Sequence, residues 1–106
     1  MNAPSGNVTF LFTDIERSSQ LWEMHPQAMG RALSQHDELM RAVLLEYDGH
    51  IFKTMGDAFC VAFHGALDAT RSAVEVQRQL GAATWEETGP LRVRMAGRHI
   101  RNESFP

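Results

Sequence analysis

The chain has 106 residues, enough for one domain with a buried core and too few for two. Hydrophobic residues make up 43% and charged residues 22%, the composition of a globular protein rather than a disordered one. Ten Lys and Arg against thirteen Asp and Glu leave a net charge of −3, which argues against a nucleic-acid partner. The single cysteine excludes an internal disulfide, no spacing suggests a zinc site, and no apolar run is long enough to span a membrane. The opening MNAPSGN has neither the basic region nor the apolar core of a signal peptide, so the expected compartment is the cytoplasm.

Residues 1–6 read as a polar lead-in. VTFLF, residues 8–12, is a nearly continuous apolar run, the pattern of a central strand buried on both faces. It stops at Thr13-Asp14. Residues 15–24 read as a short helix with Leu21 and Trp22 on its apolar side, and Pro26 restarts the chain into a second helix. Over 28–47, Met29, Leu33, His36, Met40, Val43, Leu44 and Tyr47 recur at spacings of three and four, which is one helix face. Asp48-Gly49 ends it.

HIFKT (50–54) is a second strand. Met55-Gly56-Asp57 is a tight turn in which Gly56 is free to adopt positive φ. AFCVAFH (58–64) is a third strand and completes a hairpin. A second long helix runs from 66 to about 80 on Ala66, Ala69, Ala73, Val76 and Leu80. A loop over 81–90 holds Trp85, and LRVRMA (91–96) alternates apolar with basic residues as a half-exposed edge strand does. The order is β-α-β-β-α-β, an α+β fold of the ferredoxin-like split βαβ type: an antiparallel sheet with both long helices on one face. The first and third strands are then the central neighbours.

That topology brings two carboxylates together. Asp14 follows the first strand and Asp57 opens the third, so the two meet at one end of the sheet. Adjacent carboxylates repel each other, and a hard divalent cation relieves the repulsion. Mg²⁺ characteristically takes one or two carboxylates and completes its shell with substrate phosphates. The helix start at residues 15–19 adds backbone N–H groups suited to phosphate. The combination suggests nucleotide phosphoryl chemistry with two metals. Taken singly, each residue has a plainer reading, Asp14 as a helix cap and Asp57 as a turn residue.

The residues around both aspartates carry a resemblance. VTFLFTDIE (8–16), with Ser18, Ser19, Leu21, Trp22 and Glu23 beyond it, resembles the opening of a class III nucleotidyl cyclase catalytic domain, whose bacterial branch has an FTDIEGST-like run. FKTMGDAF (52–59) resembles the second motif of that family, a lysine-x-x-Gly-Asp hairpin. The resemblance implies that Asp14 and Asp57, with the carbonyl of Ile15, hold two Mg²⁺ or Mn²⁺ ions. Ile15, Glu16, Arg17, Ser18 and Ser19 would cradle the triphosphate through their backbone, beside Gly56 of the hairpin. Lys53 would contact the purine. Lysine there goes with adenine, because an ammonium donates to the adenine N1 acceptor and not to the guanine N1–H. The implied reaction converts ATP to cyclic AMP and pyrophosphate in intracellular signalling. Family sites are shared across a head-to-tail dimer, which implies a homodimer or a heterodimer with another cyclase chain.

Two departures stand out. Arg17 replaces the usual Gly of the bacterial branch and would either add charge near the triphosphate or point to solvent. Beyond residue 96 the family continues for about another half domain, with a second base-contacting residue and an asparagine and arginine that steady ribose and transition state. Residues 97–106 do not match that half, and its roles are not carried onto Arg98, Arg101 or Asn102. The chain therefore divides into a partial cyclase-like domain over 1–96 and an unmatched tail over 97–106. The resemblance implies weak activity, or none, from the chain alone; a non-catalytic dimerisation or regulatory module is the rival reading. A truncated or frameshifted reading frame would also produce the mismatch at Gly97. Elsewhere Cys60 reads as a buried, inert thiol and His36 as a packed core histidine. Trp22 reads as a core anchor, and Trp85 as a cover over a helix or sheet end.

Overall fold

A computed structural model of the chain describes residues 6–100; Arg101 and Asn102 of the tail lie outside them. The elements are β1 (Val8–Ile15), α1 (Ser18–Met24), α2 (Pro26–Glu46), β2 (His50–Met55), β3 (Ala58–Phe63), α3 (Ala66–Ala82) and β4 (Val93–Ile100). The strands form one antiparallel sheet in the order β2-β3-β1-β4, with β1 and β3 in the middle as the topology requires.

One face of the sheet carries the core. Leu11 and Ile15 of β1 and Phe59, Val61 and Phe63 of β3 pack against Met29, Met40, Val43 and Leu44 of α2. Ala69, Val76 and Leu80 of α3 complete the same cluster. His36 is fully buried among them, its ring 5.9 Å from that of Phe59. Trp85 donates its indole N–H to the Leu80 carbonyl at 3.0 Å and covers the end of α3. Among the described residues no helix is long and apolar enough to cross a membrane.

The opposite face of the sheet is open, which corrects the reading of VTFLF as buried on both sides. Phe12 is 39% exposed. Phe10 stacks on Phe12 with ring centroids 6.1 Å apart and meets Phe52 edge-on at 5.6 Å. Phe52 reaches this face by alternation from Ile51, and the bulge between Ile51 and Lys53 lets Lys53 pair with Cys60. Cys60 is likewise only half-buried, paired across the strands with Phe12 and Lys53 rather than sealed in the core.

Two strand ends also differ from expectation. β1 continues through Thr13 and Asp14 to Ile15, because its in-and-out alternation carries on past Phe12. Thr9, Leu11, Thr13 and Ile15 all turn inward, and Ile15 pairs with Val93. The helix predicted from residue 15 accordingly starts at Ser18. β4 begins at Val93 and runs on to Ile100, four residues past the end of LRVRMA, following β1 all the way to Val8. Trp22 stands 41% exposed on a helix that buries no residue fully, so it is not a core anchor.

The α2–β2 connection shows how tightly one glycine is held. Asp48 takes the left-handed conformation at φ 61°, and the Gly49 N–H closes the helix on the Leu44 carbonyl at 2.8 Å. A methyl group on Gly49 would come within 2.9 Å of that carbonyl and of the Phe63 ring. Gly49→Ala should therefore cost about 1–3 kcal/mol of stability by overpacking. Gly30, inside α2 with open space around it, is the control. Gly30→Ala should stabilise by roughly 0.5–1 kcal/mol. Urea denaturation of the two variants reads both signs.

Candidate functional site

Asp14 occupies the outward side of β1, one residue before its end, while Ile15 turns its side chain into the core at 1% exposure. The buried isoleucine fixes the peptide that joins the two residues. Asp57 sits in the hairpin turn after Gly56, whose φ of 57° is the left-handed value glycine tolerates without steric cost. The turn delivers the Asp57 carboxylate to β1: its Oδ2 accepts the backbone N–H of Ile15 at 2.5 Å. The convergence expected from topology is thus realised by a direct hydrogen bond to the residue next to Asp14.

Asp14 has a partner that the sequence reading did not single out. Arg94, directly opposite on β4, donates from Nε to Oδ1 and from Nη2 to Oδ2, both at 2.8 Å. The carboxylate in turn raises the already high pKa of the guanidinium, first through these hydrogen bonds and then through charge. The signal was present as the basic alternation of LRVRMA. It could be placed on Asp14 only once the register of β4 against β1 was known.

The other expected residues divide. Asp14 lines a shallow groove of ≈ 300 Å³ on the open face with Phe12, Met55, Cys60, Arg94 and Ala96. Glu16 and Arg17 line a different cavity of ≈ 260 Å³, with His25 and Arg92. Arg17 takes φ 59°, and its Nε donates to the Gln20 side chain at 2.8 Å. That left-handed backbone gives the physical reason a glycine suits this position, and Arg17 holds it at a steric cost. Ser18 and Ser19 open α1, a helix of seven residues. Lys53 is exposed on β2 opposite Cys60, with all of β3 between it and Asp14. Lys53 thus shares the β2–β3 hairpin with Asp57, while Asp14 lies one strand beyond.

The donor set has a definite chemistry. Among the described residues no three His, Cys, Asp or Glu side chains converge. Two carboxylates at one strand end fit a hard cation that draws its remaining ligands from backbone oxygen, water and phosphate. The Asp57 bond to Ile15 also has a structural value. Asp57→Ala should cost about 1–3 kcal/mol, because it strands a backbone donor whose partner was charged. Asp57→Asn keeps an acceptor and should cost less, with chemical denaturation resolving the difference.

Known proteins share the sequence pattern and the fold of this chain. The pattern of the adenylate and guanylate cyclase catalytic domain matches residues 1–94. The adenylate cyclase of Lachancea kluyveri is 45% identical over 84 residues, covering 79% of this chain and 5% of that protein. The receptor-type adenylate cyclase GRESAG 4.3 of Trypanosoma brucei brucei is 39% identical over 83 residues, covering 78% and 7%. Among solved structures, an adenylate cyclase from Trypanosoma brucei in its monomeric state superposes with a TM-score of 0.86 at 27% identity, over 93% of this chain and 58% of that one. A bacterial light-regulated adenylyl cyclase shares the fold, with a TM-score of 0.81 at 16% identity over 90% and 54%. The chain spans only a small part of its curated relatives and somewhat over half of these solved chains.

Proposed function

The chain belongs to the adenylate and guanylate cyclase catalytic domain family, and from that premise we propose that it is the metal-holding part of an adenylyl cyclase site. The observation that carries the reading is the Asp57 carboxylate bonded to the N–H of Ile15, beside Asp14. Asp14 and Asp57, with the Ile15 carbonyl, would hold two Mg²⁺ or Mn²⁺ ions. When bound, those ions would supply Lewis acidity at the ribose 3′-hydroxyl and neutralise charge on the triphosphate.

The reaction is an internal displacement on ATP. The 3′-oxygen loses its proton and bonds to the α-phosphorus, the bond from that phosphorus to the bridging oxygen breaks, and pyrophosphate leaves. The Ile15 and Glu16 N–H groups are already taken by Asp57 and by the Arg92 carbonyl, so the backbone N–H groups that would hold the triphosphate narrow to those of Arg17, Ser18 and Ser19. Lys53 donates to adenine N1, which selects ATP over GTP. As in the family, the lysine would serve the carboxylate pair of a second subunit, so that a complete site needs a dimer.

This chain alone should be weak or inactive, since the family residues that steady the ribose and the transition state lie in the half its sequence does not match. Each missing donor of that kind typically costs about 10²–10³ in rate. The rival reading, a non-catalytic module that pairs with another cyclase chain, draws on the open face carrying Phe12, Phe52 and Met55. Complementation separates the two. Mixed with a full-length relative lacking its own counterpart of Asp14, the chain should restore cyclic AMP formation, and Asp57→Asn should abolish that rescue. Unchanged activity in the mixture would favour the module. Robust cyclic AMP production by the isolated chain with Mn²⁺ and ATP would overturn the expectation of inactivity.

A further inference from the structure

The Arg94 guanidinium occupies Asp14, one of the two carboxylates that the proposed function gives to a metal. The pair is imposed by the backbone. Asp14 and Arg94 are register partners in the β1–β4 ladder, so their side chains leave the sheet on one face as direct cross-strand neighbours. The guanidinium forks onto both carboxylate oxygens at 2.8 Å, the strongest geometry open to such a pair. The pair is also partly solvated, with 63% of the Arg94 side chain and 43% of the Asp14 side chain exposed, so it can open without stranding a buried charge. Glu16 and Asp57 lie close enough to act on the same guanidinium.

Building on the proposed metal role of Asp14, we infer that Arg94 is an internal counter-ion that competes with a divalent cation for that carboxylate. The forked guanidinium satisfies the oxygens that a metal would otherwise take, and it relieves the repulsion between Asp14 and Asp57 within the folded chain. Metal binding must open at least one of the two N–H···O bonds. Affinity for the ion is therefore held below what the carboxylates alone would give. The competitor belongs to β4, so any shift of that strand along β1 changes the metal affinity at Asp14 without touching a ligand.

The test is Mn²⁺ binding to the whole chain without nucleotide, read from the electron paramagnetic resonance of the free ion, with circular dichroism confirming each fold. Arg94→Gln should bind Mn²⁺ about two- to fivefold more tightly than wild type, the range an exposed ion pair can supply. Arg94→Lys keeps the charge, loses the fork and should fall between the two. Equal affinity for the lysine variant and wild type, with only the glutamine variant tighter, would assign the effect to overall charge and overturn the competition. Both variants binding as wild type does, or more weakly, would overturn it as well. In either case, weaker binding by Asp14→Asn would leave the metal reading standing. No Mn²⁺ binding by any of the chains would overturn that reading and this inference with it.

Discussion

A single hydrogen bond orders the working end of this molecule: the Asp57 carboxylate accepting the N–H of Ile15. Much of the surrounding structure serves that contact. Ile15 is pinned in the core by its side chain, so its peptide is a fixed point. Gly56 supplies the left-handed residue that turns the hairpin toward it. The antiparallel pairing of β1 and β3 sets end beside end, and Asp14 then has no choice but to share the corner with Asp57. Two like charges are brought together by contacts that do not depend on their charge. That is why the corner needs cations, first the Arg94 guanidinium and, on the proposed function, a metal.

The fold was legible to the extent that it is written in periodicity. The spacing of Met29, His36, Met40 and Val43 placed one long helix and its buried face, and those residues are indeed buried. The apolar runs of β1 and β3 marked them as the central pair. What periodicity could not supply is the distinction between a face that is apolar and a face that is covered. Phe10 and Phe12 look the same in sequence as Leu11, yet only Leu11 lies under the helices. Strand ends were similarly opaque. Thr13 is polar and buried, so a strand read as stopping at Thr13-Asp14 stops too soon.

The candidate site divided along the same line. Asp14 and Asp57 could be placed together because topology alone relates the ends of adjacent strands. Arg94 could not, since its contact depends on the register of β4, which runs beyond the segment that resembles the family. The resemblance named Arg17 as a departure and the backbone explains why: the position is left-handed, and a side chain there is tolerated rather than required.

The sheet also has a history written into its order. β1 is the first strand in the chain, yet both of its neighbours arrive late: the residue that bonds Ile15 lies 42 positions onward, and the one that grips Asp14 lies 80 onward. Nothing local can hold the central strand in place, and loop closure must be completed before any of its ladders forms. A growing polypeptide would leave β1 without a β-sheet partner until β3 had been made. The acidic corner therefore exists only where β3 and β4 have both docked on the strand that was synthesised before them.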